Sequence, residues 1–181
     1  MNKKYFVWIV FFLACFIEKA NAQYLQFVEN KGQWDKSVKF KAAFAGNDLL
    51  LQPSGYKVIL RDKEDLKKIS EFFGSHVDST GKRTSTIKDA RDLKLHCHAY
   101  TINFLNADSN AVAEPDKPLN TYNNYFLGSD SSKWATGCRV FNGLTYKNVY
   151  KNVDVRYYSD NGNLKYDIII KPGADVSKIA Y

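Results

Sequence analysis

The dipeptide Asn161-Gly162 sits between two stretches of alternating character, residues 153–159 and 164–171. Asn-Gly is the favoured pair for a two-residue type I′ turn, whose two central residues need positive φ and whose twist matches that of paired strands. Such a turn leaves one register. Val155 then lies opposite Ile168 and Tyr157 opposite Tyr166 on one face, with Arg156 opposite Asp167 and Tyr158 opposite Lys165 on the other. Apolar residues meet apolar ones on the first face and Arg156 meets a carboxylate on the second, so side-chain pairing supports the register independently of the turn. Only Asp154 opposite Ile169 breaks the pattern. Arg156 and Asp167 are expected as a structural ion pair, and the chain is committed to antiparallel β structure.

The rest of the chain repeats the period of two. Val38, Phe40, Ala42 and Phe44 alternate with more polar neighbours, as do Tyr56, Val58 and Leu60 after the turn-forming Pro53-Ser54-Gly55, which predicts a further hairpin from Leu49 onward. One helix is predicted over 62–73, with Leu66, Ile69, Phe72 and Phe73 on one face as a cover for a sheet and Gly74 as the stop. Residues 75–92 are polar and aperiodic, and read as a mobile surface loop. The apolar phase shifts between Ala99 and Tyr100, which predicts a β-bulge there. Pro115 and Pro118 mark residues 106–120 as an unpaired connection. With 15% aromatic residues to build a core, the expected fold is an all-β, mainly antiparallel sandwich with one short covering helix.

The N-terminus has its own logic. Lys3 and Lys4 precede an apolar run ending at Ile17, and Ala20-Asn21-Ala22 follows. These are the positive region, hydrophobic region and small-residue cleavage site of a signal peptide, 1–22, which makes 23–181 the exported domain and the cell surface or exterior its destination. Past that cleavage no stretch is apolar enough for a transmembrane helix. The chain has 26 basic and 19 acidic residues, and losing Lys3, Lys4, Lys19 and Glu18 leaves 23 against 18. Its lysines alternate with apolar residues as wet strand faces, so nucleic acid is not an expected partner.

Few residues suggest chemistry. His96 and His98 lie two apart on one strand face and could offer two nitrogens to a metal ion, but no further ligand is placed beside them and no metal or other cofactor is expected. Asp154 and Asp167 are the carboxylates on regular structure, and Asp167 is consumed by Arg156 in the expected register. Neither a nucleophile elbow nor a phosphate-binding glycine loop occurs, so no catalytic residue is assigned. Asp130 reads as the cap of a single turn that carries Trp134 into the core or to the sandwich edge. Tyr122, Tyr125, Trp134 and Tyr158 are candidates for a platform on which sugar rings stack. Cys97 and Cys138 are candidates for one disulfide, with two buried free thiols as the alternative.

Several motifs occur in order: Phe27-Val28-Glu29-Asn30-Lys31-Gly32-Gln33-Trp34, Asn124-Tyr125-Phe126-Leu127-Gly128, Ser132-Lys133-Trp134, Asn152-Val153-Asp154-Val155-Arg156-Tyr157-Tyr158, Leu164-Lys165-Tyr166-Asp167 and Pro172-Gly173-Ala174-Asp175. Through them the chain resembles an N-terminal domain of uncharacterised function in large bacterial surface proteins. Those proteins continue into SBBP-type β-propeller repeats, PKD-like domains or gliding-motility-associated C-terminal sorting domains. The resemblance implies a β-sandwich, type IX export where a sorting domain is present, and no enzyme activity. It also implies that the chain is truncated, with residues 179–181 opening another strand and downstream domains of the same polypeptide as neighbours. The expected role is a non-catalytic adhesion or architectural module that meets a surface glycan or a protein. The alternatives are a carbohydrate-binding domain for polysaccharide capture and a hydrolase whose catalytic residues lie beyond Tyr181.

Overall fold

A computed structural model of the chain describes residues 25–75, 87 and 89–181. The expected signal peptide 1–22 and most of the expected 75–92 loop lie outside the described residues; of that loop's end, Ala90–Asp92 forms a 3-10 turn capped by Asp89.

The strands are β1 (Phe27–Glu29), β2 (Phe40–Phe44), β3 (Asn47–Gln52), β4 (Gly55–Arg61), β5 (Cys97–Asn103), β6 (Val112–Pro115), β7 (Tyr122–Tyr125), β8 (Ala135–Phe141), β9 (Gly143–Tyr150), β10 (Val153–Asp160) and β11 (Asn163–Ile170), with helix α1 (Lys63–Gly74) between β4 and β5. They make a seven-stranded sheet, ordered β5-β4-β3-β2-β1-β8-β7, and a four-stranded sheet, ordered β11-β10-β9-β6. The fold is the all-β antiparallel sandwich expected. One core joins the sheets: Phe27, Leu49, Leu51 and Phe141 from the larger meet Leu144, Tyr146, Val153, Val155 and Tyr157 from the smaller. Each such side chain, taken fully out of water, contributes roughly 1.5–3 kcal/mol.

The β10–β11 hairpin has the predicted register throughout, from Asp160 opposite Asn163 to Val153 opposite Ile170. Asn161 (φ 49) and Gly162 (φ 78) both carry the positive φ of a type I′ turn. The β3–β4 hairpin also forms as expected, closing at Gln52 opposite Gly55.

Three expectations fail on tertiary grounds, and the covering helix holds in part. β5 pairs with β4 without interruption, from Gly55 opposite Asn103 to Arg61 opposite Cys97, so there is no bulge at Ala99 and Tyr100. As the last strand of its sheet β5 is almost wholly exposed, and no face of it has to stay apolar. Pro115 does not prevent pairing; it ends β6, opposite Leu144, on an edge strand where one side of the backbone needs no partner. Helix α1 is capped by Asp62, whose carboxylate accepts from the Asp65 amide at 2.9 Å, but it buries Phe72 while leaving Phe73 70% exposed, and it adds no side chain to the main core. Its Leu66 and Ile69 are half-buried, and Leu66 reaches over Gly46 in the turn between β2 and β3. Residues 179–181 form no strand; the Ala180 carbonyl accepts from the Leu105 amide at 2.8 Å and from the Tyr150 hydroxyl at 3.1 Å.

Candidate functional site: an aromatic cleft beside strands β1 and β7

The turn after β1 is built by two amide side chains. Asn30 donates to the carbonyls of Asp35 (2.9 Å) and Val38 (2.8 Å) while its own oxygen accepts from the Gly32 amide (3.0 Å). Gln33 is buried; it donates to the Glu29 carbonyl at 2.9 Å and accepts from the Lys31 amide at 2.7 Å. Together they satisfy a compact loop whose backbone would otherwise lack partners, and the loop holds Trp34 half-buried. The Trp34 ring meets Tyr125 of β7 edge-on, with centroids 5.1 Å apart, and the Lys41 ammonium lies 5.4 Å from its centroid.

This pair leans on a second apolar cluster, Val28, Ala135, Cys138 and Val140 with Leu119, on the face of the large sheet turned away from the main core. A cleft of about 1080 Å³ opens beside it, lined by Val28, Lys41, Leu119, Asn123, Tyr125 and Asn142 among others. Flat rings next to amide and ammonium donors suit a ligand with apolar faces and hydroxyl edges. Two sequence motifs, 27–34 and 124–128, converge here on strand β8. Glu29 accepts from the Arg139 amide at 2.9 Å, Lys31 donates to the Thr136 carbonyl at 3.0 Å, and Asn124 accepts from the Gly137 amide at 2.8 Å.

The expected platform is divided. Tyr125 belongs to the cleft. Tyr122 is on the same strand and 64% exposed. Trp134 follows the 3-10 turn Ser131–Lys133 that Asp130 caps, and it sits at the edge, not in the core, with its ring edge-on to Phe126 (5.5 Å) and its indole N–H donating to the Gly128 carbonyl (3.2 Å). Tyr158 is on β10 in the other sheet, under the Arg156 guanidinium (5.7 Å) and donating to Asp167. Lys41 and Asn142 were not anticipated as cleft residues; Trp34 does not line the cleft but backs Tyr125 from behind.

The Arg156–Asp167 pairing needs correction. The two are cross-strand partners, yet the guanidinium turns away to Asp116 at 3.1 Å, which β6 and its continuation bring to the far side of β9. Cys97 and Cys138 are not joined: both are free, one exposed and one buried. Five strand spacings separate β5 from β8, on the order of 24 Å at about 4.8 Å each, against the roughly 7 Å limit for a bridge. His96 is taken by α1: its amide and ring nitrogen both bond Asp65. His98 lies against Tyr100. Among the described residues no three potential ligands cluster to hold a metal ion.

Among the described residues three carboxylates are buried, and each is held on the acidic side of its usual range. Hydrogen bonds from the His96 amide and ring do this for Asp65. For Asp48, burial works the other way but is outweighed by hydrogen bonds from Arg61 and Lys41. For Asp154, 1% exposed, burial is outweighed by Lys171 at 2.8 Å, the Asn148 amide at 2.9 Å and the charge of Lys147. A carboxylate kept ionised this way is unsuited to donating a proton near neutral pH.

No curated protein and no solved structure matches the chain. Residues 27–181 match the model of a family described as Domain of unknown function (DUF7948), a span that takes in both sheets, Tyr125 and the greater part of the cleft lining, and every motif from Phe27 onward. The chain therefore belongs to the DUF7948 family.

Proposed function

We propose that this domain is a non-catalytic module of an exported protein, used for adhesion or architecture at the cell surface. The observation that carries the reading is the state of the three buried carboxylates: Asp48, Asp65 and Asp154 are each held ionised by basic or hydrogen-bonding partners, as structural charges are. The signal-peptide pattern of residues 1–22 supports export, and the resemblance to surface-protein N-termini supports the multidomain setting. Two measurements test this. Mass spectrometry of the exported protein should find Gln23, free or cyclised to pyroglutamate, as its first residue. The purified chain, offered a panel of glycoside, ester and peptide substrates, should turn none over; hydrolysis that survives repurification and is lost with a single carboxylate would overturn the reading.

The cleft favours a second reading, polysaccharide capture, in which Tyr125, braced by Trp34, stacks on a sugar face while Asn123, Asn142 and Lys41 bond hydroxyls. A glycan array separates the two. Binding that disappears in Tyr125→Ala with its melting temperature unchanged supports capture, and uniform silence across the array leaves the architectural role.

A further inference from the structure

Strand β11 ends the four-stranded sheet, and among the described residues only β10 pairs with it. The turn at Asn161 and Gly162 makes Asp160 and Asn163 the hydrogen-bonded closing pair. Bonded and non-bonded positions alternate from there, so Asn163, Lys165, Asp167 and Ile169 spend their backbone groups on β10. Leu164, Tyr166, Ile168 and Ile170 aim their amides and carbonyls outward, an open template for another strand. Two further facts mark this edge. Its core-facing side chains are incompletely covered, with Tyr166 39% and Ile170 54% exposed. Its two charged residues, Lys165 and Asp167, are exposed and form no ion pair among the described residues, because Arg156 has gone to Asp116.

We propose that β11 pairs with β11 of a second copy of this chain, antiparallel and centred on Tyr166, making one continuous eight-stranded sheet from two four-stranded ones. Charge selects both the partner and the register. Centred on Tyr166, each Lys165 stands opposite the other copy's Asp167, as a non-hydrogen-bonded pair in which side chains approach most closely. On the core-facing side, Leu164 of each copy then meets Ile168 of the other, and the two Tyr166 rings meet at the axis. Sliding the pairing to centre on Lys165 or on Asp167 sets like charges face to face at the axis. The edge strand β5 of the larger sheet carries no Lys, Arg, Asp or Glu and so holds nothing that would choose a register.

Sedimentation velocity of the purified chain tests this over a concentration series, with circular-dichroism melts as the control for folding. The wild type should move from monomer to dimer as concentration rises. Lys165→Glu sets a carboxylate against the other copy's Asp167 and should weaken the dimer about tenfold, since two attractive pairs become repulsive. Asp167→Lys should do the same. The double exchange Lys165→Glu with Asp167→Lys restores opposite charges and should return the dimer to within about threefold of wild type. A wild type that stays monomeric throughout overturns the proposal. So does self-association that ignores the single exchanges, or a folded double exchange that fails to recover; either would point to another surface, such as β5.

Discussion

Tyr146 and Tyr157 are both about 1% exposed, stacked edge-on at 6.1 Å, and their hydroxyls find no hydrogen-bond partner among the described residues. Burial pushes both phenols above the ordinary tyrosine range. A hydroxyl stripped of water without replacement costs about 1–3 kcal/mol, so Tyr146→Phe and Tyr157→Phe should each be neutral or stabilising by up to about 1.5 kcal/mol in urea unfolding. A clear loss would mean that the hydroxyls are satisfied. Asp154 is the contrary case, a buried polar group with its partners in place. Asp154→Asn keeps an acceptor for the Asn148 amide but abandons Lys171 and Lys147, and should cost about 1–3 kcal/mol in the same measurement. Sequence reasoning saw Asp154 as a mismatch with Ile169 and as one of two carboxylates on regular structure. What it lacked was Lys147 on the neighbouring strand β9, a contact no local pattern encodes.

The register of the β10–β11 hairpin was fully readable because its turn and its cross-strand positions lie within twenty consecutive residues, and the two sources of information agree. Its weak point is backbone geometry. Gly162→Ala forces a Cβ into the left-handed region at φ 78 and should lower stability by about 1–2 kcal/mol. Gly55 has a different constraint, because a Cβ there would stand 2.1 Å from the Ile102 carbonyl oxygen in the adjoining strand. Gly55→Ala should therefore destabilise more than Gly162→Ala, and hydrogen exchange should localise the damage to β4 and β5. If Gly55→Ala proves the milder of the two in a urea melt, the close approach of β4 to β5 is wrong. Strands β5 and β6 were misread for one reason: edge strands need neither a continuous apolar face nor a full set of backbone donors, so the rules that detect central strands fail on them.

The assembled sandwich makes its stability depend on acid. Asp48, Asp65 and Asp154 have pKa values lowered by folding, so the stability they confer is complete above the unfolded carboxylate value, roughly 4. It is lost as pH falls through their lower folded values. Urea midpoints should hold steady from neutrality to about pH 5 and fall below pH 4, and Asp154→Asn should flatten that fall; a midpoint that rises on acidification would contradict the assignment. Reductant should leave the melting temperature unchanged, since Cys97 and Cys138 stand at separate strands of the large sheet, and peptide mapping should find no bond between them. Period-two patterning, the Asn-Gly and Pro-Ser-Gly turns and the apolar spacing of Leu66, Ile69 and Phe72 ahead of Gly74 were enough to establish the β class, two hairpins and the helix, because each of those depends on residues close together in the chain. Sheet order, the meeting of Trp34 with Tyr125, the diversion of Arg156 to Asp116, and the separation of Tyr158 from the other aromatics were decided by long-range strand pairing, whose energy comes from burying faces that touch only once the two sheets are assembled.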